Sequence, residues 1–507
     1  MSAIGQLRDK VENRLNEEII KGNYSIVKDS PRIISALAAI EKPNGDVRLI
    51  HDLSRPTGYG VNDYAKKDPC NMQSVYDALA CLKPDYFMAK IDLSWAYRSV
   101  CIKKAEQVLT GLEWKFRGNT ESTFLQDCKL PFGGRKSPSI FNRLTQSVRR
   151  MMERRGYTNC VVYLDDFFIA EESFNKCMEV MNTLIALLRQ LGFRINWSKV
   201  VDPCKELVFL GININTTDNW IALDPEKKEK LIELLNACKA RKRMSKAQLL
   251  SIAGKLNWAA TVFPWGRNRL NNIFQLIRNL NNDNHKAITT SALAEDFDWW
   301  LKCLGQNKNR RQIWDDYRPS LHIATDSSQV SGGAFCFDSG AWQYCNWILD
   351  RHELAEEHIN IKELAMIAEA VSLWAPLNQG SQLVIYTDNT FAAIATNKGT
   401  ARNKMAQALL REMANTALIN NVTILAHYIP GAINDFADSI SRLHSPGQIE
   451  RFLSLLINIG YHCTPPLTWC PYNMSALSLT FLLPQIRRWQ ESCNSWTRKW
   501  QKYKPTS

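Results

Sequence analysis

Hydrophobic and polar positions change period three times along the chain. From Ile33 to about Gly211, short β-like apolar runs alternate with helical stretches, which predicts an α+β unit. From Asp224 to about Asn282 the spacing is helical, as in Leu231-Ile-Glu-Leu-Leu-Asn-Ala237 and Gln248-Leu-Leu-Ser-Ile-Ala-Gly-Lys-Leu-Asn-Trp258. A polar break, Asn281-Asn-Asp-Asn-His-Lys286, opens a tether that reaches about Pro319. Strands and helices alternate again from His322 to about Leu443, a second α/β unit. Ahead of these lies an arm of helix formers and charge, and behind them a basic aromatic tail.

One run breaks its own pattern. In Cys160-Val-Val-Tyr-Leu-Asp-Asp-Phe-Phe-Ile-Ala170 two acids sit inside apolar sequence, which predicts a β-hairpin with the acids at its turn. Adjacent carboxylates repel and are costly to bury, so they need a cation or water. A solvated turn would serve, and so would a pair of divalent metal ions. A third acid ends another apolar strand, Phe87-Met-Ala-Lys-Ile-Asp92, and could be delivered beside Asp165 and Asp166. Two hard cations take several oxygen ligands, and two-metal sites serve nucleotidyl transfer.

Composition narrows the classes. The 507 residues suit roughly two to four domains, and 45% hydrophobic content is ordinary for folded protein. Net charge is +13, which favours a polyanionic partner. The helical segment 224–282 alone holds 12 Lys/Arg against 4 Asp/Glu. No apolar run reaches the roughly 18 residues of a membrane span, and the first residues lack a signal-peptide core. The expectation is an intracellular protein, in cytoplasm or nucleus and not secreted, with no membrane partner. Fourteen cysteines without a Cys-x-x-Cys pair argue against a disulfide framework or a zinc ribbon.

The motifs, taken in order, resemble reverse transcriptases, particularly those of the DIRS group of tyrosine-recombinase retrotransposons. Arg48-Leu-Ile-His-Asp-Leu-Ser-Arg-Pro56 with Val61-Asn-Asp63 resembles the fingers motif. Lys90-Ile-Asp-Leu-Ser-Trp-Ala-Tyr-Arg98 is similar to the first catalytic motif, and Leu130-Pro-Phe-Gly-Gly-Arg-Lys-Ser-Pro-Ser-Ile-Phe-Asn142 to the loop-to-helix motif after it. Tyr163-Leu-Asp-Asp166 resembles the catalytic hairpin, and Phe209-Leu-Gly-Ile212 the primer grip. Gly254-Lys-Leu256 and Pro264-Trp-Gly-Arg267 resemble the thumb. The likeness runs from about residue 33 to 445.

That resemblance implies a right-hand α+β polymerase of fingers, palm and thumb, followed by an α/β ribonuclease-H-like domain. It implies the boundaries 1–32 arm, 33–223 fingers and palm, 224–282 thumb, 283–319 tether, 320–445 ribonuclease H-like domain and 446–507 tail. Asp92, Asp165 and Asp166 would hold two Mg²⁺ ions, with Mn²⁺ as an alternative. Lys42 and Arg48 would hold the triphosphate of a dNTP, and Leu93, Tyr97, Phe132 and Gly133 would shape its pocket. Tyr97 would block a ribose 2′-hydroxyl. Lys199 would act as general acid toward pyrophosphate, although a surface lysine fits as well.

Four further acids complete the picture. Asp326 ends the run His322-Ile-Ala-Thr, Glu363 lies on a helix by periodicity, Asp388 ends Leu383-Val-Ile-Tyr-Thr, and Asp438 follows Tyr428-Ile-Pro-Gly431. Each alone could cap or face solvent; in this order they resemble ribonuclease H and imply a second pair of cations. Relatives carry His before Ile-Pro-Gly, whereas Tyr428 stands here with His427 one residue earlier, which leaves a guiding histidine open. Asp338-Ser-Gly-Ala341 resembles an aspartic protease signature but falls where a hairpin turn is expected. The implied partners are an RNA template, a DNA primer, RNA–DNA hybrid and dNTP. A tyrosine recombinase encoded separately is a further expected partner. Two rivals stand beside this reading: a pararetrovirus polymerase segment, and a silent copy that only binds nucleic acid.

Overall fold

The computed structural model describes residues 3–42, 45–56, 58–66, 68–305, 310–314 and 318–458. The chain divides into two units, residues 1–224 and 225–507.

Unit one is built around the two apolar runs that carry acids. Its elements are α1 (Ala3–Ile20), β1 (Tyr24–Val27), β2 (Ala36–Glu41), β3 (Val47–Asp52), β4 (Phe87–Ser94), β5 (Gly111–Trp114), β6 (Thr123–Asp127), α2 (Ser137–Glu153), β7 (Cys160–Tyr163), β8 (Asp166–Glu171), α3 (Phe174–Gln190), β9 (Arg194–Ile195) and β10 (Val201–Cys204). The central sheet has the order β10-β4-β8-β7, with β9 also paired to β4. Ala89 and Ile91 of β4 and Phe167 and Ile169 of β8 are fully buried under α2 and α3, which close one face of the sheet. Met88, Phe168 and Ala170 are buried on the other, where Phe168 packs on Phe209. Each such aliphatic or aromatic side chain contributes about 1.5–3 kcal/mol by leaving water. The expected fingers hairpin is β2–β3, and β1-β6-β5 forms a separate sheet.

The expected arm is part of this structure. Val11 and Leu15 of α1 are wholly buried with Tyr24, Val47, Leu112 and Leu125. The sequence hides this because α1 mixes charge with a narrow apolar stripe. Further on, the strands β11 (Glu206–Phe209), β12 (Ile212–Asn215) and β13 (Trp220–Leu223) make an antiparallel meander.

Unit two begins with α4 (Pro225–Lys239), α5 (Lys246–Ala259) and α6 (Asn271–Arg278). The segment expected as a tether contains a helix, α7 (Ser291–Gly305), with Leu293, Phe297, Trp300 and Leu304 buried at helical spacing. Its apolar stripe demands a partner, and Gly266 supplies a close one: a Cβ there would lie 2.2 Å from the Trp300 ring. The second sheet contains β14 (Ser320–Ser327), β15 (Ser331–Cys336), β16 (Trp342–Asn346), β17 (Gln382–Thr387) and β18 (Thr423–Tyr428), in the order β16-β15-β14-β17-β18. The pairs β14–β17 and β17–β18 are parallel and the others antiparallel. Helices α8 (Ile359–Leu377), α9 (Thr390–Lys398) and α10 (Lys404–Asn420) pack on it, and α11 (Asp435–Ser441) and α12 (Gln448–Asn458) pack together against β15 and β16.

The segments 225–282 and 320–445, expected as separate domains, fall in one unit. Asp296 of α7 is one joint between them: buried completely, it accepts from Asn272 at 2.8 Å and Arg411 at 3.1 Å, and pairs with Arg269 at 3.4 Å. The start of the expected tail is α12, whereas residues 459–507, with Trp489, Trp496, Trp500, His462, Cys463 and Cys470, lie outside the described residues. Among the described residues, the cysteines are free and no helix is long and apolar enough to cross a membrane.

Candidate active sites

Strand pairing brings the first three acids together. Asp92 sits directly opposite Asp166 in the β4–β8 ladder, and Tyr163 pairs with Asp166 across a two-residue loop. Leu164 opens that loop with φ +53°, the positive value that tight hairpin turns require at this place. A bulky residue held there costs on the order of 1–3 kcal/mol. The backbone N–H of Leu93 donates to the Asp165 carbonyl at 3.0 Å, so β4 fixes the loop.

The surroundings explain the charges. Asp92 is 5% exposed and accepts from Asn196 Nδ2 at 2.9 Å and Lys199 Nζ at 3.2 Å. Burial raises the Asp165 carboxyl, and the Asp92 charge adds to it. Burial likewise lifts Asp166 to about 6; Lys90 opposes the rise while Asp165 and Asp92 reinforce it. Lys199 and Lys90 offset only part of this charge, and Asp165 and Asp166 remain raised, a deficit that a divalent cation would fill.

A cavity of 760 Å³ opens beside them, lined by Lys42, Arg48, Asp92, Leu93, Tyr97, Phe132, Asp165 and Lys199 among others. Lys42 Nζ donates to Asp46 at 2.6 Å, and the Arg48 guanidinium lies over the Phe132 ring at 5.2 Å. Tyr97 packs on Phe132 at 4.9 Å and on Phe141 at 5.6 Å between ring centres. Burial, then the Asp165 charge, pushes the Tyr97 hydroxyl up to about 12, so it stays a neutral phenol. Asp166 and Gly133 are not on the cavity wall. Gly133 has φ +112°, and a Cβ would stand 2.1 Å from the His51 carbonyl oxygen, so only glycine fits. Asn62 clamps this loop, donating to the Gly133 carbonyl at 2.8 Å and accepting from the Arg135 N–H at 2.7 Å.

The second constellation lies in unit two. Asp326 near the end of β14, Glu363 on α8 and Asp388 just after β17 each place a carboxylate oxygen within 4.8 Å of the others. Glu363 Oε2 is buried without a hydrogen-bond partner, while Ser441 donates to Asp326 at 2.5 Å. Burial, reinforced by Asp326 and Asp388, raises Glu363 to about 9; burial raises Asp326 to about 6. An orphaned buried acceptor among acids fits a cation. Asp438 stands outside this group of three. Its carboxylate accepts from Arg442 and Arg451, each at 2.7 Å. His427 stacks on Tyr386, 6.0 Å between ring centres, and Tyr428 is exposed. Asp338 lies in the β15–β16 turn and accepts from the His322 N–H at 2.6 Å.

Sequence reading missed Asn196, Asn62, Ser441 and Arg451. Asn62 stands in the quoted Val61-Asn-Asp63 motif without a role assigned to it, Asn196 and Ser441 reach partners more than a hundred residues away, and Arg451 lies in the segment read as tail.

Comparison with known proteins narrows the first site. The sequence model of the reverse transcriptase (RNA-dependent DNA polymerase) family matches residues 40–214, which hold Asp92, Asp165 and Asp166. Those residues form a reverse transcriptase domain. The chain is 23% identical over 459 residues to the retrovirus-related Pol polyprotein from transposon opus of Drosophila melanogaster, covering 88% of this chain and 42% of that protein. The Pro-Pol polyprotein of feline foamy virus is 28% identical over 249 residues, covering 49% of this chain and 19% of that protein. The chain thus spans less than half the length of these curated relatives. Among solved structures, a foamy viral protease–reverse transcriptase in complex with double-stranded DNA matches with a TM-score of 0.51 and 17% identity. It covers 83% of this chain and 69% of that one, and shows a shared reverse transcriptase fold.

Proposed function

We propose that this chain copies RNA, and then DNA, into DNA at the first site and cuts the RNA strand of RNA–DNA hybrids at the second. The observation that carries the reading is Asp92 and Asp165 on the cavity wall, with Asp166 paired opposite Asp92, within a reverse transcriptase domain. The functional divisions follow the boundaries expected from sequence, with the arm helix α1 joined to unit one, α7 inside 283–319, and α12 joined to unit two. Unit one is the fingers and palm, 224–282 the thumb, and 320–445 a ribonuclease-H-like domain.

Asp92, Asp165 and Asp166 would hold Mg²⁺, or Mn²⁺, in the palm. Asp326, Glu363 and Asp388 would do so in the second unit, joined by Asp438 once its arginine pairs open. Bound cations would activate the primer 3′-hydroxyl in one site and a water in the other, and would neutralise phosphate charge. The chain's own residues do the rest. Lys42 and Arg48 face the cavity as cations for a triphosphate, and Lys42 exchanges Asp46 for phosphate oxygen. Tyr97, backed by Phe132, presents a neutral ring at the sugar and excludes a 2′-hydroxyl. Leu93 lines the pocket floor, and Gly133 lets the loop approach His51. Lys199, paired with Asp92, would release a proton to pyrophosphate.

The basic thumb helices would grip the template–primer through phosphates, so binding would weaken with salt. The ordered motifs quoted above favour an origin in a DIRS-like element, with a tyrosine recombinase on another chain and work inside the cell, in cytoplasm or nucleus. The test is dNTP incorporation on poly(rA)/oligo(dT) beside cleavage of a labelled RNA–DNA hybrid. Both activities are expected; binding of the hybrid with neither activity would favour the silent copy.

A further inference from the structure

Tyr97 stands on a weak support. Trp95 is left-handed, with φ +63°, and residues 97–99 form a single 3₁₀ turn. Local bonds are short in range: the Ser99 N–H donates to the Trp95 carbonyl at 2.9 Å, and Ser99 Oγ to the Ala96 carbonyl at 2.6 Å. The ring leans on Phe132 and Phe141, and one such turn does not by itself fix where it meets Phe132.

The next side chain does. Arg98 is 8% exposed and lies between two buried acids. Its Nη1 donates to both oxygens of Asp127 at 2.7 Å, and its Nε donates to Glu18 Oε2 at 3.0 Å. Glu18, on α1, is held in turn by Arg14 at 2.9 Å and Asn23 at 2.9 Å. Asp127 also accepts the N–H of Lys129 at 3.0 Å, and Leu130 donates to the Val100 carbonyl at 2.9 Å. Those two residues lead directly into Phe132, the ring on which Tyr97 packs. A single guanidinium therefore ties the Tyr97 turn and the Phe132 segment to the same carboxylate.

We propose that Arg98, clamped between Glu18 and Asp127, is the positioning residue that sets Tyr97 against Phe132 and thereby governs discrimination between deoxyribo- and ribonucleotides. This rests on the reading of the cavity as a dNTP site. The planar fork of arginine fixes direction as well as charge, which a lysine ammonium cannot do. Without it, two buried carboxylates face each other and the turn loosens. A ring free to shift admits the extra hydroxyl that a rigid one rejects.

Single-nucleotide incorporation of dTTP and UTP on poly(rA)/oligo(dT), with the full chain, reads the ratio of kcat/KM values. Arg98→Met and Glu18→Gln are expected to lower the dTTP/UTP ratio about tenfold or more, a discrimination of the size one small group provides. Arg98→Lys should fall between these variants and the unchanged protein, and primer–template affinity should hold in all three. Tyr97→Ala serves as the reference: an unchanged ratio there would overturn the sugar-gate reading itself. A lowered ratio in Tyr97→Ala with an unchanged ratio in Arg98→Met and Glu18→Gln would overturn the positioning role alone. Loss of primer–template binding in both would do so too, since the pair would then merely hold the fold.

Discussion

The two acid clusters differ in what balances their charge. In the first, Asp92 already has an ammonium and an amide, from Lys199 and Asn196. In the second, Asp326, Glu363 and Asp388 crowd within 4.8 Å, and the nearby guanidinium groups of Arg442 and Arg451 are spent on Asp438. Burial is the first cause of the raised values in both, with Asp166 and Asp326 at about 6 and Glu363 at about 9, and neighbouring carboxylates add to it. A cluster with some of its own cations tolerates exposure to a changing substrate. A cluster without them leans on cations from solution.

That contrast can be broken most sharply at Asp92. Asp92→Asn should reduce primer extension on an RNA template about 1000-fold or more, the scale for removing an electrostatic anchor of a transition state. Lys199→Met should cost less, about 100-fold, the low end for removing a general acid. Steady-state extension assays on the two variants decide the ranking, and equal losses would contradict it.

Glu363→Gln probes the other cluster. In the folded, cation-free protein the carboxyl ionises at about 9, against 4.5 when free. Between those values the native state holds a proton that the unfolded chain has released, so this group's contribution to stability falls as pH rises through that window. Removing the charge should therefore stabilise unit two in EDTA at pH 7 by about 3 kcal/mol. The gain should vanish near pH 4.5, as thermal denaturation at several pH values would reveal, while hybrid cleavage is lost.

His51 gives the opposite sign. Burial lowers its ring to about 4 from 6.5, with one nitrogen 3.1 Å from the Gly111 carbonyl. The unfolded chain binds the proton first as pH falls, so stability present above 6.5 is lost progressively toward pH 4, up to about 3 kcal/mol. Urea denaturation of unit one's signal should show the loss, and His51→Gln should flatten it. The smallest effect belongs to Arg451→Ala. Its pairs are partly exposed, so stability should change by less than about 1 kcal/mol. Freed in part, Asp438 should strengthen Mn²⁺ binding in calorimetry; unchanged affinity would mean that the arginine does not restrain it.

Both clusters were legible in sequence for a local reason. Asp92, Asp165, Asp326 and Asp388 each end or flank an apolar strand, so strand pairing delivers them. The β7–β8 hairpin and the protease-like Asp338 turn fall where alternation places them. Long-range partners were not legible. The stripe of α7 follows a polar break and reads as linker until Gly266 and the Arg269–Asp296–Arg411 joint are seen. Likewise, nothing near Glu18 announces that it reaches Arg98, eighty residues away in sequence. Asp438 was expected among the other acids, but two arginines hold it, Arg442 four residues on and Arg451 on α12, in a segment read as tail.

On the proposed reading, each unit carries its own cation-dependent centre. The direct test is one RNA–DNA substrate, with a labelled primer and a labelled template, given to Asp165→Asn and Asp388→Asn side by side. Asp165→Asn should stop extension and still cut RNA, whereas Asp388→Asn should extend and not cut. Loss of both activities in either variant, or neither in both, would contradict it.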